Sequence, residues 1–348
     1  MFRTGRSLRI QTLAFNWNSG GSKRFNHFII TDKFGTLREQ YHTPKYPIVL
    51  CHGFSGFDKL TFFQNFEIVD KYLVKNDGSK RILGFELDYW RGIGIALSKL
   101  GAKVLVAQVP PFGTIRDRAE ILESFLELQC QQLKDMSDDK INFPIKLNLI
   151  SHSMGGLDSR YLISKLQNNG PNKKYHVVSL TTIATPHRGS EVADFFYELV
   201  QTVPILKHVA PQALFDLTTT SMIKFNKEIV DDPTVEYFSY GAKFNPKLFN
   251  IFYSTWYLMK YRIGLRLKRN QIKLAPKLNI DNDGLVSVTS AKWGNYLGTL
   301  DQVDHLDLIN WTSTIRSTLD KFVFKRKPKF NAIALYLDIA DNLAKRGY

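Results

Sequence analysis

Residues Ile145–Gly156 read IKLNLISHSMGG, and the fold turns on them. Ile145–Ile150 is short, apolar and partly β-branched, the pattern of a buried strand. Ser151–Gly156 reads as a sharp turn, and Gly155–Leu166 as the helix leaving it. Strand, tight turn and helix in that order form the setting of a nucleophile elbow, which puts Ser153 at its point. Residues two away from such a serine must be small, so that strand and helix can approach. Gly155 meets that need on one side. On the other, Ser151 stands where glycine is usual and adds a hydroxymethyl group.

Outward from this stretch, strand-like and helix-like segments alternate. Tyr46–Cys51 (YPIVLC), Lys103–Val109 (KVLVAQV), His176–Ala184 (HVVSLTTIA) and Val235–Tyr240 are the other expected strands. Trp90–Leu100 reads as a helix stopped by Gly101. Ile115–Lys134 reads as a second, with Thr114 as its N-cap. Parallel strands joined by helices need right-handed crossovers and a sheet covered on both faces. The expected class is therefore α/β, with chemistry at the C-terminal ends of the strands.

A serine becomes nucleophilic at neutral pH only beside a base, and the base needs a carboxylate to fix its tautomer. With the nucleophile on a central strand, both should follow it, acid before histidine. Of the histidines after Ser153, His176 begins a strand, His187 follows Pro186 in a loop, and His208 falls in an expected lid. His305, in Asp304-His305-Leu306-Asp307, remains as the base. Asp283, in the turn sequence Asn282-Asp283-Gly284, is the acid. The oxyanion formed on a carbonyl needs preorganised N–H donors. His52-Gly53-Phe54 comes after the first strand, where glycine lets the backbone turn its amides toward the site. Phe54 N–H and Met154 N–H are the expected donors, and His52 is expected to brace the loop.

Composition narrows the class of protein. With 44% hydrophobic and 23% charged residues among 348, the chain has enough apolar surface for a sizeable core and is not a disordered tail. Two cysteines exclude a disulfide-stapled scaffold. The longest apolar candidate for a membrane span, Ile251–Met259, is half the length needed. A net charge of +15 points to anionic partners. Residues 1–31 hold five basic residues and no carboxylate, the composition of a mitochondrial presequence or of a solvated basic arm. A second acid-free stretch, Tyr237–Ile280, mixes Lys260, Arg262 and Arg266 with Phe252, Trp256 and Tyr257. Contact with an anionic membrane or droplet surface, or a packed helix and then a solvated loop, explains it equally well. No nucleic-acid motif accompanies the charge. Nothing in the sequence sets an oligomeric state.

Tyr46–Phe57 (YPIVLCHGFSGF), Tyr89–Ile93 (YWRGI), Ser151–Tyr161 (SHSMGGLDSRY), Thr181–Phe195 (TTIATPHRGSEVADF) and Asn282–Ser287 (NDGLVS) together resemble the bacterial true lipases of the Pseudomonas and Burkholderia type. With the basic arm, the resemblance extends to the fungal mitochondrial branch of that family. It covers roughly 45–315 and implies an α/β-hydrolase fold, a helical lid near 196–213 and acyl-ester hydrolysis on acylglycerol lipid. The hydrolase domain is expected over 32–325, with the basic and aromatic stretch as an insertion near 243–280. The resemblance implies the same roles for Ser153, Asp283, His305, Phe54 and Met154, with His187 in a structural loop. A phospholipase, a lipid acyltransferase and a non-catalytic lipid-binding protein on the same fold are the alternatives. The family's calcium site uses an aspartate two residues beyond the base, which Asp307 matches. The position four further on is Trp311, and the acid-free stretch lacks the second aspartate, so no metal or other cofactor is expected. The segment between Asp58 and Asp88 is longer than its counterpart, and the tail 326–348, expected to be a helical extension, lies outside the match.

Overall fold

The computed structural model describes residues 28–54, 59–61, 86–136, 142–170, 172–203, 205–206, 210–248, 250–269, 280–311 and 330–348. Nine strands run through them: β1 (Ile29–Ile30), β2 (Ile48–Cys51), β3 (Lys59–Thr61), β4 (Glu86–Asp88), β5 (Val104–Val106), β6 (Ile145–His152), β7 (Tyr175–Ile183), β8 (Glu236–Lys243) and β9 (Asn295–Asp301). Seven of them form one parallel sheet in the order β1-β9-β8-β7-β6-β2-β5. The helices are α1 (Ile93–Lys99), α2 (Ile115–Asp135), α3 (Gly155–Tyr161), α4 (Glu191–Thr202), α5 (Gln212–Asp216), α6 (Thr219–Glu228), α7 (Tyr253–Arg269), α8 (Val288–Ala291) and α9 (Ala332–Lys345). The parallel sheet and its helical cover are those of an α/β-hydrolase.

The five expected strands are all present. β2 and the middle of β6 are covered on both faces, where Ile48, Val49, Leu50, Leu147, Leu149 and Ile150 are fully sequestered, while the edge strand β5 is half-buried. Two clusters result, one on each side of the sheet. Val49, Leu147 and Leu149 pack with Leu122, Leu126 and Cys130 of α2. Ile48, Leu50 and Ile150 pack with Trp90, α1 and α9. Thr114 caps α2 as expected, its hydroxyl accepting the Asp117 N–H while the Asp117 carboxylate accepts the Thr114 N–H.

Several boundaries differ from expectation. Trp90 and Arg91 lie in the turn before α1, which begins at Ile93. Ile29 and Ile30 pair with Thr299 and Leu300, so the folded domain takes in the end of the acid-free stretch 1–31. Residues 1–27 lie outside the described part. Of the long 58–88 segment, Lys59–Thr61 and Glu86–Asp88 pair antiparallel as a separate ribbon, and the residues between them lie outside the described part.

The tail is not an appendage. Leu335, Tyr336, Ile339 and Leu343 of α9 are buried in the same cluster as Trp90 and the sheet. Asp338 and Asp341 on that helix pair with Lys33 and Arg38 near the start of the domain. The Lys45 N–H donates to the carbonyl of Tyr348. Among the described residues, no helix is long and apolar enough to cross a membrane.

Candidate active site

β6 lies between β2 and β7, and its C-terminal end delivers Ser153 to the rim of the sheet. Ser153 has φ 54°, in the left-handed region. For a residue with a Cβ this costs of order 1–3 kcal/mol and persists only where the surroundings impose it. They do so here. The Ser153 N–H donates to Ile183 O at 2.9 Å, and Thr185 Oγ1 donates to Ser153 O at 2.7 Å. Gly155 lies against the β2 end so closely that a Cβ would stand 2.5 Å from Cys51 O. Ser151 is accommodated by a chain of hydroxyls: its Oγ lies 2.8 Å from Ser159 Oγ, which donates to Gly155 O.

Ser153 Oγ is 3.0 Å from His305 Nε2, and His305 Nδ1 is 2.8 Å from Asp283 Oδ2. Asp283 is fully buried, and its other oxygen accepts the N–H groups of Leu285 and Val286 at 3.0 and 2.8 Å. Its backbone O accepts the His305 N–H at 3.0 Å. The acid is thereby fixed on both sides of the imidazole. With Nδ1–H committed to Asp283, His305 Nε2 is left as an acceptor facing the serine hydroxyl. Such an arrangement can take a proton from Ser153 and return it to a leaving group.

Gly53 and Phe54 border the serine from β2. A Cβ on Gly53 would meet Ser153 Cβ at 2.7 Å, which defines how closely the loop passes the nucleophile. Arg118 of α2, fully buried, donates to His52 O at 2.7 Å and Gly53 O at 3.3 Å, to Pro110 O, and through Nε to Asp158. In a trans peptide N–H and C=O point oppositely. Turning Gly53 O toward Arg118 therefore turns the Phe54 N–H away from it. Met154 lies at the start of α3, where the first N–H groups have no carbonyl in the preceding turn.

His52 Nε2 accepts the Val109 N–H at 3.4 Å, which puts its proton on Nδ1, 3.0 Å from Gly53 O. It braces the loop, as expected. Sequence reasoning missed three further supports, namely Arg118, Tyr89 and His152. The Tyr89 hydroxyl accepts the Gly53 N–H at 2.9 Å and lies 2.7 Å from His152 Nδ1. The His152 ring packs 4.6 Å from that of His305. Burial, then the proximity of His305, holds the His152 pKa well below the ordinary 6.5, so it stays neutral beside the base. The signals were present, in Tyr89-Trp90 after a strand and a basic residue on the inner face of α2. The aromatic pair is ordinary in a core, and one basic residue on a long helix reads as facing solvent.

His187 lies away from the triad. It stacks on Trp293 at 5.0 Å and lies 3.0 Å from Thr182 Oγ1. Cys51, next to the loop, is no competing nucleophile, since burial pushes its thiol to about 12.

At the family's calcium position, groups of this chain are engaged in hydrogen bonds within the protein. Asp307 Oδ2 accepts the Asp304 N–H at 3.2 Å, and the carbonyl of Trp311 accepts from the Arg91 guanidinium at 3.3 Å. Among the described residues no three His, Cys, Asp or Glu side chains are grouped to hold a metal.

A serine at a strained elbow, a histidine and a buried carboxylate on an α/β-hydrolase sheet define a serine ester hydrolase. Residues 114–234 match the family described as "Putative serine esterase (DUF676)". The chain is 37% identical over 332 residues to Triacylglycerol lipase 2 of Saccharomyces cerevisiae, covering 89% of this chain and 94% of that protein. It is 26% identical to a Vibrio cholerae triacylglycerol lipase, covering 91% and 93%. Its fold is that of lipase 1 from Pelosinus fermentans, with a TM-score of 0.55 at 19% identity, covering 87% of this chain and 99% of the other. The chain belongs to the triacylglycerol lipase family.

Proposed function

We propose that this enzyme hydrolyses acylglycerol esters at a lipid surface, with Ser153 as nucleophile. The carrying observation is the line from Ser153 Oγ through His305 to Asp283, at 3.0 and 2.8 Å. Ser153 Oγ attacks the ester carbonyl carbon as its proton passes to His305 Nε2. The carbonyl oxygen becomes an oxyanion held by the N–H groups of Phe54 and Met154, each worth about 2.7–4 kcal/mol. The intermediate collapses, the carbon–oxygen bond to the glycerol breaks, and His305 gives that oxygen its proton. Water then attacks the acyl-serine, its proton goes to His305, and the fatty acid leaves as Ser153 regains its hydrogen.

The named relatives support acylglycerol as substrate. The lipid surface is supported by exposed apolar side chains on two adjoining helices. Phe195, Phe196 and Tyr197 on α4, with Tyr257, Tyr261 and Leu265 on α7, face solvent beside Lys260 and Arg262. The inner face of α7 packs instead: Trp256, Met259 and Ile263 are buried, as is Phe252 just before the helix. The packed helix that the sequence allowed is thus present, and residues 270–279, where a solvated loop is expected, lie outside the described part. The lid reading of 196–213 rests on exposed Val203 and Ile205 after the end of α4; residues 204 and 207–209 of that range lie outside the described part. Mitochondrial targeting by the basic arm rests on its composition alone.

Purified enzyme and Ser153→Ala should be compared on emulsified tri- and diacylglycerol and on phospholipid vesicles. Fatty acid release from acylglycerol by the wild type, abolished in the variant, is expected. Release from phospholipid alone would make it a phospholipase. Folded wild type inert on every class would leave a binding protein.

A further inference from the structure

The loop that carries the base is fastened at both ends of a short turn. Asp304 Oδ1 accepts the N–H groups of Leu306 and Asp307 at 3.1 and 2.9 Å, and the Asp304 N–H donates back to Asp307 Oδ2 at 3.2 Å. This reciprocal pair is the geometry of a capping box, here wrapped around His305. It uses Asp307, the residue the family resemblance assigns to calcium, as a hydrogen-bond acceptor. The second Asp304 oxygen, Oδ2, accepts from Asn250 Nδ2 at 3.1 Å. Asn250 is itself locked, because its Oδ1 accepts the Phe252 N–H at 2.7 Å.

Phe252, two residues after Asn250, lies against the His305 ring and the turn that holds Asp283. Its ring meets His305 edge-on at 6.5 Å, and its Cβ lies 2.5 Å from where a Cβ on Gly284 would stand, next to Asp283. Phe252 is 7% exposed, while Asp304 and Asp307 are buried. One amide thus joins the segment before α7 to the turn holding the base, while the ring beside it packs against the turn holding the acid.

We propose that Asn250 is a positioning residue for His305, and that the Asn250–Asp304 amide-to-carboxylate clasp fastens the catalytic loop in place of a divalent cation. Asp304 and Asp307 spend carboxylate lone pairs on these N–H groups, which leaves fewer for a cation at this point. The clasp is made of protein alone and does not respond to metal removal. The proposal rests on the reading of Ser153, His305 and Asp283 as the reacting groups, and its test separates the two.

The test is the rate at which a fluorophosphonate probe labels Ser153, measured well below the melting temperature established by circular dichroism. Wild type should label at the same rate with and without excess EDTA, and its melting temperature should not move. Asn250→Ala should label on the order of tenfold to a hundredfold more slowly, since a misplaced base loses its alignment with the hydroxyl. Should that variant not fold, the near-isosteric Asn250→Asp sets a carboxylate against Asp304 without opening a cavity, and should slow labelling likewise. A purely structural asparagine would lower the melting temperature and leave the labelling rate of folded protein unchanged, which overturns the proposal. Slowing by EDTA that calcium reverses also overturns it. No labelling of folded wild type at all would instead sink the reading of the triad.

Discussion

The hydroxyl of Tyr89 accepts the backbone N–H of Gly53 at 2.9 Å. Gly53 precedes the N–H assigned to the oxyanion, so this bond helps set the direction of a donor it does not itself supply. Tyr89→Phe removes the acceptor and leaves a buried N–H unpaired, a loss of about 1–3 kcal/mol. The kcat on a soluble short-chain ester is expected to fall about tenfold with KM nearly unchanged, as for interactions strengthened in the transition state. An unaltered kcat would show that Arg118 and His52 hold the loop without it.

Arg118 carries the heavier part of that support. Its guanidinium reaches two loop carbonyls, Pro110 O and Asp158 from within the core. Arg118→Met strands the Asp158 carboxylate, and breaking a buried pair in this way costs about 3–5 kcal/mol. Urea denaturation should reveal a loss of that order, larger than for any exposed arginine such as Arg116.

Close approach makes Gly53→Ala a sharper lesion than its size suggests. The new methyl would stand 2.7 Å from Ser153 Cβ, so either the loop or the nucleophile must shift. Activity should drop by about a hundredfold, the effect of misplacement near 1 Å. Comparison of ester turnover at equal folded protein checks this.

Two histidines tie stability to pH. Burial, above all, depresses the pKa of His152 and of His187 well below 6.5, with His305 beside the first and Arg160 and Arg188 beside the second. Above pH 6.5 both are neutral folded or unfolded, and neither affects the balance. Below it the unfolded chain gains protons that the folded one refuses. Each histidine then removes about 1.4 kcal/mol per pH unit, down to its folded pKa. Melting temperature should fall steeply between pH 6.5 and 5.5, and less steeply in His187→Gln.

Removing α9 should unfold the domain. Leu335, Tyr336, Ile339 and Leu343 sit in the cluster that covers one face of the sheet. At roughly 1.5–3 kcal/mol for each large side chain, their loss is comparable with the whole net stability of a domain, about 5–15 kcal/mol. A chain ending at Lys329 should give no cooperative thermal transition by calorimetry. A normal transition would mean the helix is dispensable.

The legible parts of this molecule are those where a local pattern has one physical cause. Ile48–Leu50 is apolar throughout, and Leu147, Leu149 and Ile150 flank a single buried amide, Asn148, because parallel strands are covered on both faces; the Thr114 cap needs nothing beyond its own turn. Ser153, Asp283 and His305 could be ordered in advance because the elbow fixes which strand carries the nucleophile. β9 was not legible. Asn295–Asp301 (NYLGTLD) is interrupted by Gly298 and joins the sheet through β8 and β1, which only tertiary structure supplies. The tail read as an extension because its burying surface, around Trp90, is far away in the chain. Tyr89, Arg118 and Asn250 escaped for a similar reason: each acts through long-range hydrogen bonds, and no local period marks a partner that distant.

The triad is tested most sharply by mapping the residue that a fluorophosphonate probe labels in wild type, Ser153→Ala and His305→Ala. One modified peptide containing Ser153 is expected in the wild type and none in Ser153→Ala, with labelling slowed about a thousandfold or more in His305→Ala. Label on another residue, or an undiminished rate without the imidazole, would refute the assignment of nucleophile and base.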